Sequence, residues 1–175
     1  MLFALLMASI AVKAQTVMGS FKLPAEEKYI TLDWDCSKTK FENRMNEQEW
    51  RAIKGEDWDE AKKDVLHDMV TDLNEKLNNT RFIAILPGSE LKSSFTIYIC
   101  PLTLNKNGKN VTAFVLKDGT GTEVGSAMLH GSGGRIGSLP NLVGDGYENA
   151  ASKLAKIIKT HNSETKAKPN KGAKH

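Results

Sequence analysis

The sequence predicts an α+β fold: one twisted, mostly antiparallel five-stranded sheet with two helices packed on one face. Three observations lead there. Two stretches, one mid-chain and one near the end, carry apolar residues at helical spacing. The turns "NKNGK" and "DGTGT" separate three alternating strands and mark two hairpins. The element order, β-α-β-β-β-α with an extra hairpin strand, groups the strands instead of alternating them with helices.

Residues 1–14 read as a signal peptide. The apolar run Leu2 to Val12 has eleven residues, short of the roughly 20 that span a bilayer. Val12 and Ala14 stand at −3 and −1 of a cleavage site after Ala14, and no cysteine follows that could carry a lipid. The chain is therefore expected to be exported, to the periplasm or outside the cell, with no transmembrane segment after signal cleavage. Residues 15–27 form a polar lead.

A single α+β domain is expected over 28–159. Its first strand is "KYITLDWDC", in which Ile30, Leu32 and Trp34 alternate with Thr31, Asp33 and Asp35. Asn46 with Glu49 forms a capping box that opens a short helix ended by Gly55, and Asp57 with Glu60 opens a longer one. The longer helix carries Trp58, Ala61, Val65, Met69, Leu73 and Leu77 on one face, widened by Leu66 and Val70, and Asn78-Asn79 closes it. "RFIAIL" is a short buried strand stopped by Pro87-Gly88. "SSFTIYICPL", "NVTAFVLK" and "EVGSAMLH" should form an antiparallel meander. Thr112, Phe114, Leu116, Thr96 and Tyr98 are expected on the sheet face away from the helices. Asp145, with Glu148, caps the last helix, whose stripe is Tyr147, Ala150, Ala151, Leu154, Ile157 and Ile158. Residues 160–175 read as a disordered basic tail.

The formal charge of +3 is misleading. Lys13 and the tail's net +3 account for more than all of it, leaving −1 on residues 15–159. A nucleic-acid-binding domain is usually basic in its body, so no nucleic-acid partner is expected.

An exported β-α-β-β-β-α domain that closes on a glycine-rich loop and a helix resembles small bacterial envelope domains, of the TolB N-terminal or CsgG-type periplasmic kind. It is similar also to uncharacterised exported proteins with a GDG-x-E helix entry, here Gly144-Asp145-Gly146-Tyr147-Glu148. The resemblance covers about residues 28 to 160 in element order and carries no functional residue across. It implies envelope assembly or protein binding, not catalysis, with an unidentified envelope or surface protein as partner.

The stretch "HGSGGRIGSLPNLVGDG", His130 to Gly146, holds six of the fourteen glycines. A P-loop needs Gly-Lys followed by Ser or Thr, and no glycine here has that sequel. A dinucleotide fingerprint fits at Gly131 and Gly133 but puts Ile136 at the third glycine position. The last helix is expected to start late, after Pro140 and Asn141, which keeps its amides out of the loop. The candidate ligand-binding residues are Gly131, Gly133, Gly134, Arg135 and Ser138, as an anion nest. The competing reading is a strand-to-helix connector whose glycines allow close packing.

Asp33 and Asp35, with Asp57 or Asp59, could gather round a hard cation, but no calcium-loop glycine accompanies them, and a solvated strand face explains them better. His67, His130, His161 and His175 form no cluster with cysteine, and Ser138 sits in no G-x-S-x-G elbow. No catalytic residue, metal or cofactor is expected. Trp34, Trp50 and Trp58 read as core. Cys36 and Cys100 are a candidate disulfide, which the oxidising compartment allows. Strand parity opposes it: Cys36 falls on the aliphatic face of its strand and Cys100 on the opposite face of its own.

Overall fold

The computed structural model describes residues 16–163. Its strands are β1 (Thr16–Gly19), β2 (Tyr29–Trp34), β3 (Lys40–Phe41), β4 (Ile83–Ile85), β5 (Thr96–Leu104), β6 (Asn110–Lys117) and β7 (Glu123–Gly131). Its helices are α1 (Glu47–Lys54), α2 (Glu56–Leu77), α3 (Leu139–Tyr147) and α4 (Ala150–Asn162). The fold is α+β, with a mixed, open sheet in the order β1-β7-β6-β5-β2-β4 and β3 beside β5. The expected signal-peptide segment and most of the expected tail lie outside the described residues.

The meander forms as its turn chemistry dictates. Gly108 and Gly121 both take positive φ, 77° and 83°, at the β5–β6 and β6–β7 turns. The expectation of a mostly antiparallel five-stranded sheet with two helices needs correcting elsewhere. β2 pairs in parallel with both β4 and β5. The reason is α2, a helix of 22 residues that returns the chain to the starting end of the sheet before β4 begins. Beyond β2, the two-residue β3 takes over beside β5 at Thr103 and Leu104. Pro101, which has no N–H, falls in the gap between β2 and β3, and the buried Thr39 hydroxyl donates to its carbonyl at 2.7 Å.

One face of the sheet carries Ile30, Leu32, Ile97, Ile99, Phe114 and Leu116, all buried against Trp58, Met69 and Leu73 of α2, Val143 and Tyr147 of α3, and Leu154 and Ile158 of α4. The core is therefore one slab between the sheet and a single helical layer. The alternation of the sequence predicts Thr112, Phe114 and Leu116 on the outer face. The structure buries all three, with Asn110, and turns Val111, Ala113 and Val115 outward beside Thr96 and Tyr98.

The helix starts also differ in part. Asn46 and Glu49 make the expected reciprocal capping box, at 2.9 and 2.8 Å. Asp57 and Glu60 do not: α2 begins at Glu56 with Gly55 as its cap. Asp145 caps nothing, because α3 already starts at Leu139 behind Ser138, with Pro140 in its first turn. In the lead, Thr16–Gly19 forms a strand, and Phe21 and Leu23 are buried. At the other end α4 runs to Asn162, past the expected boundary at Lys159.

Candidate functional site

The glycine-rich stretch brings three parts of the fold together. Gly131 ends β7, Gly108 sits in the β5–β6 turn, and Gly146 lies in the last turn of α3. A methyl group on Gly131 would overlap the Gly146 carbonyl. One on Gly108 would overlap the Leu142 carbonyl, and one on Gly146 the Gly108 carbonyl. These backbones pack at a distance that no side chain tolerates, so close packing accounts for the glycines.

Beneath this contact lies a buried polar cluster. Thr112 Oγ1 donates to Asn110 Oδ1 at 2.8 Å and lies 2.8 Å from the phenol oxygen of Tyr147. With the threonine proton committed to Asn110, the phenol is the donor to Thr112. Asn110 Nδ2 donates to the carbonyls of Gly108, at 3.0 Å, and Gly146, at 3.3 Å. Burial pushes the Tyr147 phenol above its ordinary range, with the Thr112 hydrogen bond acting against the shift, so the group is a neutral donor and not a base.

A cavity of about 440 Å³ opens beside the cluster, between the end of β7 and the α3–α4 junction. Gly131 and Gly133 line it, as do Ser132, His130, Glu148 and Lys153. Of the other loop residues singled out in the sequence, Gly134, Arg135 and Ser138 lie outside its wall. Arg135 is exposed, and the Ser138 side chain makes no capping bond. The expectation that the helix starts late is overturned, since the loop runs directly into the first turn of α3. Asp145 lies over Gly134, and Asp145, Glu148 and Lys153 all line the cavity. Nothing local in the sequence marks Lys153, which stands on α4 next to the core stripe and becomes a wall residue only where the fold sets α4 and the end of β7 around one cavity.

The remaining candidates are held by other tasks. Asp33 accepts from the Trp34 amide at 2.7 Å, Asp35 accepts from the Ser37 amide and hydroxyl, and Asp59 binds Arg51. Among the described residues no three His, Cys, Asp or Glu side chains gather as a metal site. His67 and His130 are exposed. His161 is no tail residue: its Nδ1 accepts from the Phe21 amide at 3.1 Å. Trp50 and Trp58 are buried about Phe41, which stacks on the first at 5.3 Å and meets the second edge-on at 5.1 Å. Cys36 and Cys100 are free thiols, the first buried in the core and the second half-buried on the outer face. Burial pushes Cys36 up to about 12 and Cys100 up to about 11, with Glu47 adding to the first and Asp35 to the second. Neither thiol is poised as a nucleophile.

The outer face of the sheet has no layer upon it among the described residues. Tyr98, Val111, Ala113, Val115 and Met128 are half-buried there, and Met18 is 61% exposed. No described helix is long and apolar enough to cross a membrane.

No protein-family model matches the sequence, and no curated protein matches it. Two solved structures are similar in outline. One is a single-substitution variant of the PelC dodecamer from Paraburkholderia phytofirmans, 12% identical, covering 86% of this chain and 99% of that one with a TM-score of 0.40. The other is an uncharacterized protein, 11% identical, covering 78% and 95% with a TM-score of 0.42.

Proposed function

We propose that this chain is an exported, non-catalytic α+β binding or assembly module that works by protein–protein contact in the cell envelope. The observation that carries the reading is the one-sided layering. All described helices stack on one face, and the other presents Tyr98, Val111, Val115 and Met128 in adjacent strands with nothing over them among the described residues. The leader-like segment, with the cleavage-site pattern Val12-Lys13-Ala14, supports export, and both thiols, protonated at neutral pH, argue against thiol catalysis.

Crosslinking in the native cells, followed by purification and mass spectrometry, tests the reading. A stoichiometric envelope protein should be captured, and Val115→Glu with Met128→Glu on the outer face should abolish its capture. Capture that survives both changes, or a protein that begins at Met1 and stays inside the cell, overturns it. A second reading, a small-molecule or anion binder at residues 131–138, is favoured by the cavity beside Gly131, Gly133 and Lys153. A rise in melting temperature with phosphate or small carboxylates, lost in Lys153→Ala, would support it.

A further inference from the structure

The two edges of the sheet are finished differently. At the β4 edge, Ala84 turns its main chain outward, and Asn74 of α2 satisfies both groups: Nδ2 donates to the Ala84 carbonyl at 2.9 Å, and Oδ1 accepts from its amide at 2.7 Å. A side-chain amide stands there in place of a further strand. Among the described residues the β1 edge has no such cover. The Ser20 amide donates to the Val124 carbonyl, so Thr16 and Met18 share the hydrogen-bonded positions facing β7 and Val17 points its N–H and C=O away from the sheet. Among the described residues neither group of Val17 has a partner. Natural edges are commonly blunted by charge or proline, and β1 reads Thr-Val-Met-Gly, with neither.

We infer that β1 pairs with β1 of a second copy of this chain, antiparallel about a two-fold axis. Gly19, at φ 66°, ends the extended segment, so Val17 is the outward-facing residue at its centre. The two copies of Val17 exchange N–H···O=C bonds both ways, and Thr16 of each stands opposite Met18 of the other. Three observations favour a second copy as occupant. The strand carries no charge, so self-pairing sets no like charges opposite each other. The Asn74-sealed edge stops growth on the far side, so the pairing closes as a dimer and does not run on as a fibre. Met18 lies on the same face as Ser126 and Met128, so the dimer joins the two outer faces into one wider surface. The inference rests on the contact reading and deepens it, by naming one edge and one partner. With strands of four residues the buried area is small and the association weak.

Sedimentation equilibrium of the purified protein, its N-terminus read by mass spectrometry, over a wide concentration range is the test. The wild type should show dimer that grows with concentration. Val17→Pro removes only the outward N–H and leaves the β7 ladder intact, so it should be monomeric with unchanged circular dichroism. Val17→Lys sets two like charges at the axis and should be monomeric too, which keeps the test open if the proline variant misfolds. A wild type that stays monomeric to its solubility limit, or variants that dimerise as it does, overturns the inference. A monomer that still captures a stoichiometric envelope protein overturns self-pairing alone and leaves the contact reading standing. A β1-dependent dimer with no envelope partner leaves self-pairing standing and overturns the wider reading.

Discussion

The hydroxyl of Thr112, on β6, lies 2.8 Å from the phenol oxygen of Tyr147, on α3, and both groups are buried. This bond joins the meander to the helical layer at the point where the glycine loop crosses. Tyr147→Phe keeps the ring, which meets Trp34 edge-on at 5.5 Å, and loses only the donor. It should cost about 1 kcal/mol in urea denaturation. Thr112→Val leaves the phenol and Asn110 Oδ1 without their partner and should cost about 2–3 kcal/mol. The double variant should cost less than the sum, and strict additivity would show that the two groups act independently.

Close backbone packing requires glycine at positions 131 and 108, and alanine substitution measures it. Gly131→Ala and Gly108→Ala drive a methyl into backbone carbonyls and should each destabilise the fold by about 1–3 kcal/mol or more. Gly144, inside α3, has open space around its missing side chain. Gly144→Ala should be neutral or stabilise by up to about 1 kcal/mol. Equal effects at all three positions, read from denaturation midpoints, would contradict this account.

Both cysteines should resist alkylation near neutral pH in the native protein and react readily in denaturant, with Cys100 the faster of the two because it is half-exposed. A thiol whose pKa folding has raised keeps its proton where the unfolded chain loses it. The stability this gives is complete below pH 9 and drains as pH climbs toward about 12 for Cys36. The midpoint of unfolding should therefore fall across that window, and fall less in Cys36→Ala. Rapid native labelling of Cys36 would show that the core is more open than this.

Local chemistry made much of this fold legible. The hairpin turns, the Asn46–Glu49 box and the α2 stripe are written within a few residues each, and the structure keeps them. What the sequence misplaced depends on partners far along the chain. In "NVTAFVLK" both parities carry apolar side chains. Phe114 and Leu116 go inward because they are the larger, and Thr112 can follow them only because Asn110 and Tyr147 satisfy its hydroxyl. Likewise Gly-Asp-Gly looks like a helix start, yet Ser138 and Pro140 open α3 first. Parallel pairing of β2 with β4 leaves no local mark, since it follows from the length of α2. Gly131 and Gly133 of the candidate site could be named from the loop, whereas Lys153 joins them only because the fold sets α4 and the end of β7 around one cavity.

Trp50 carries the one buried side-chain nitrogen or oxygen without a hydrogen-bond partner among the described residues, its Nε1. Trp58 instead donates to Glu47 at 3.0 Å. Trp50→Phe removes an unsatisfied donor while keeping the stack on Phe41, so it should cost less than Trp58→Phe, which breaks a bond. Denaturation midpoints of the two variants decide it, and a costlier Trp50 change would mean that its indole nitrogen has a partner after all.

The end of α4 holds the chain's first described segment in place. His161 Nδ1 accepts from the Phe21 amide, and its ring stands edge-on to Phe21 with centroids 6.1 Å apart. Asn162 accepts from the Leu23 amide at 2.9 Å and donates to the Phe21 carbonyl at 2.8 Å. These bonds do for an irregular segment what a neighbouring strand does for a regular one, and they keep Phe21 and Leu23 in the core. A chain ended after Ser163 retains them, whereas a chain ended after Lys159 loses three hydrogen bonds and loosens two buried apolar side chains. The shorter chain should be less stable than the longer by about 3–5 kcal/mol, taking roughly 1 kcal/mol per bond and partial exposure of Phe21 and Leu23. Asn162→Ala in the full chain should show about 1–3 kcal/mol of that loss, because it leaves the Leu23 amide and the Phe21 carbonyl short of a partner. Equal denaturation midpoints for the two truncations would mean that residues 160–163 belong to the tail after all, and that Phe21 is held by its apolar contacts alone.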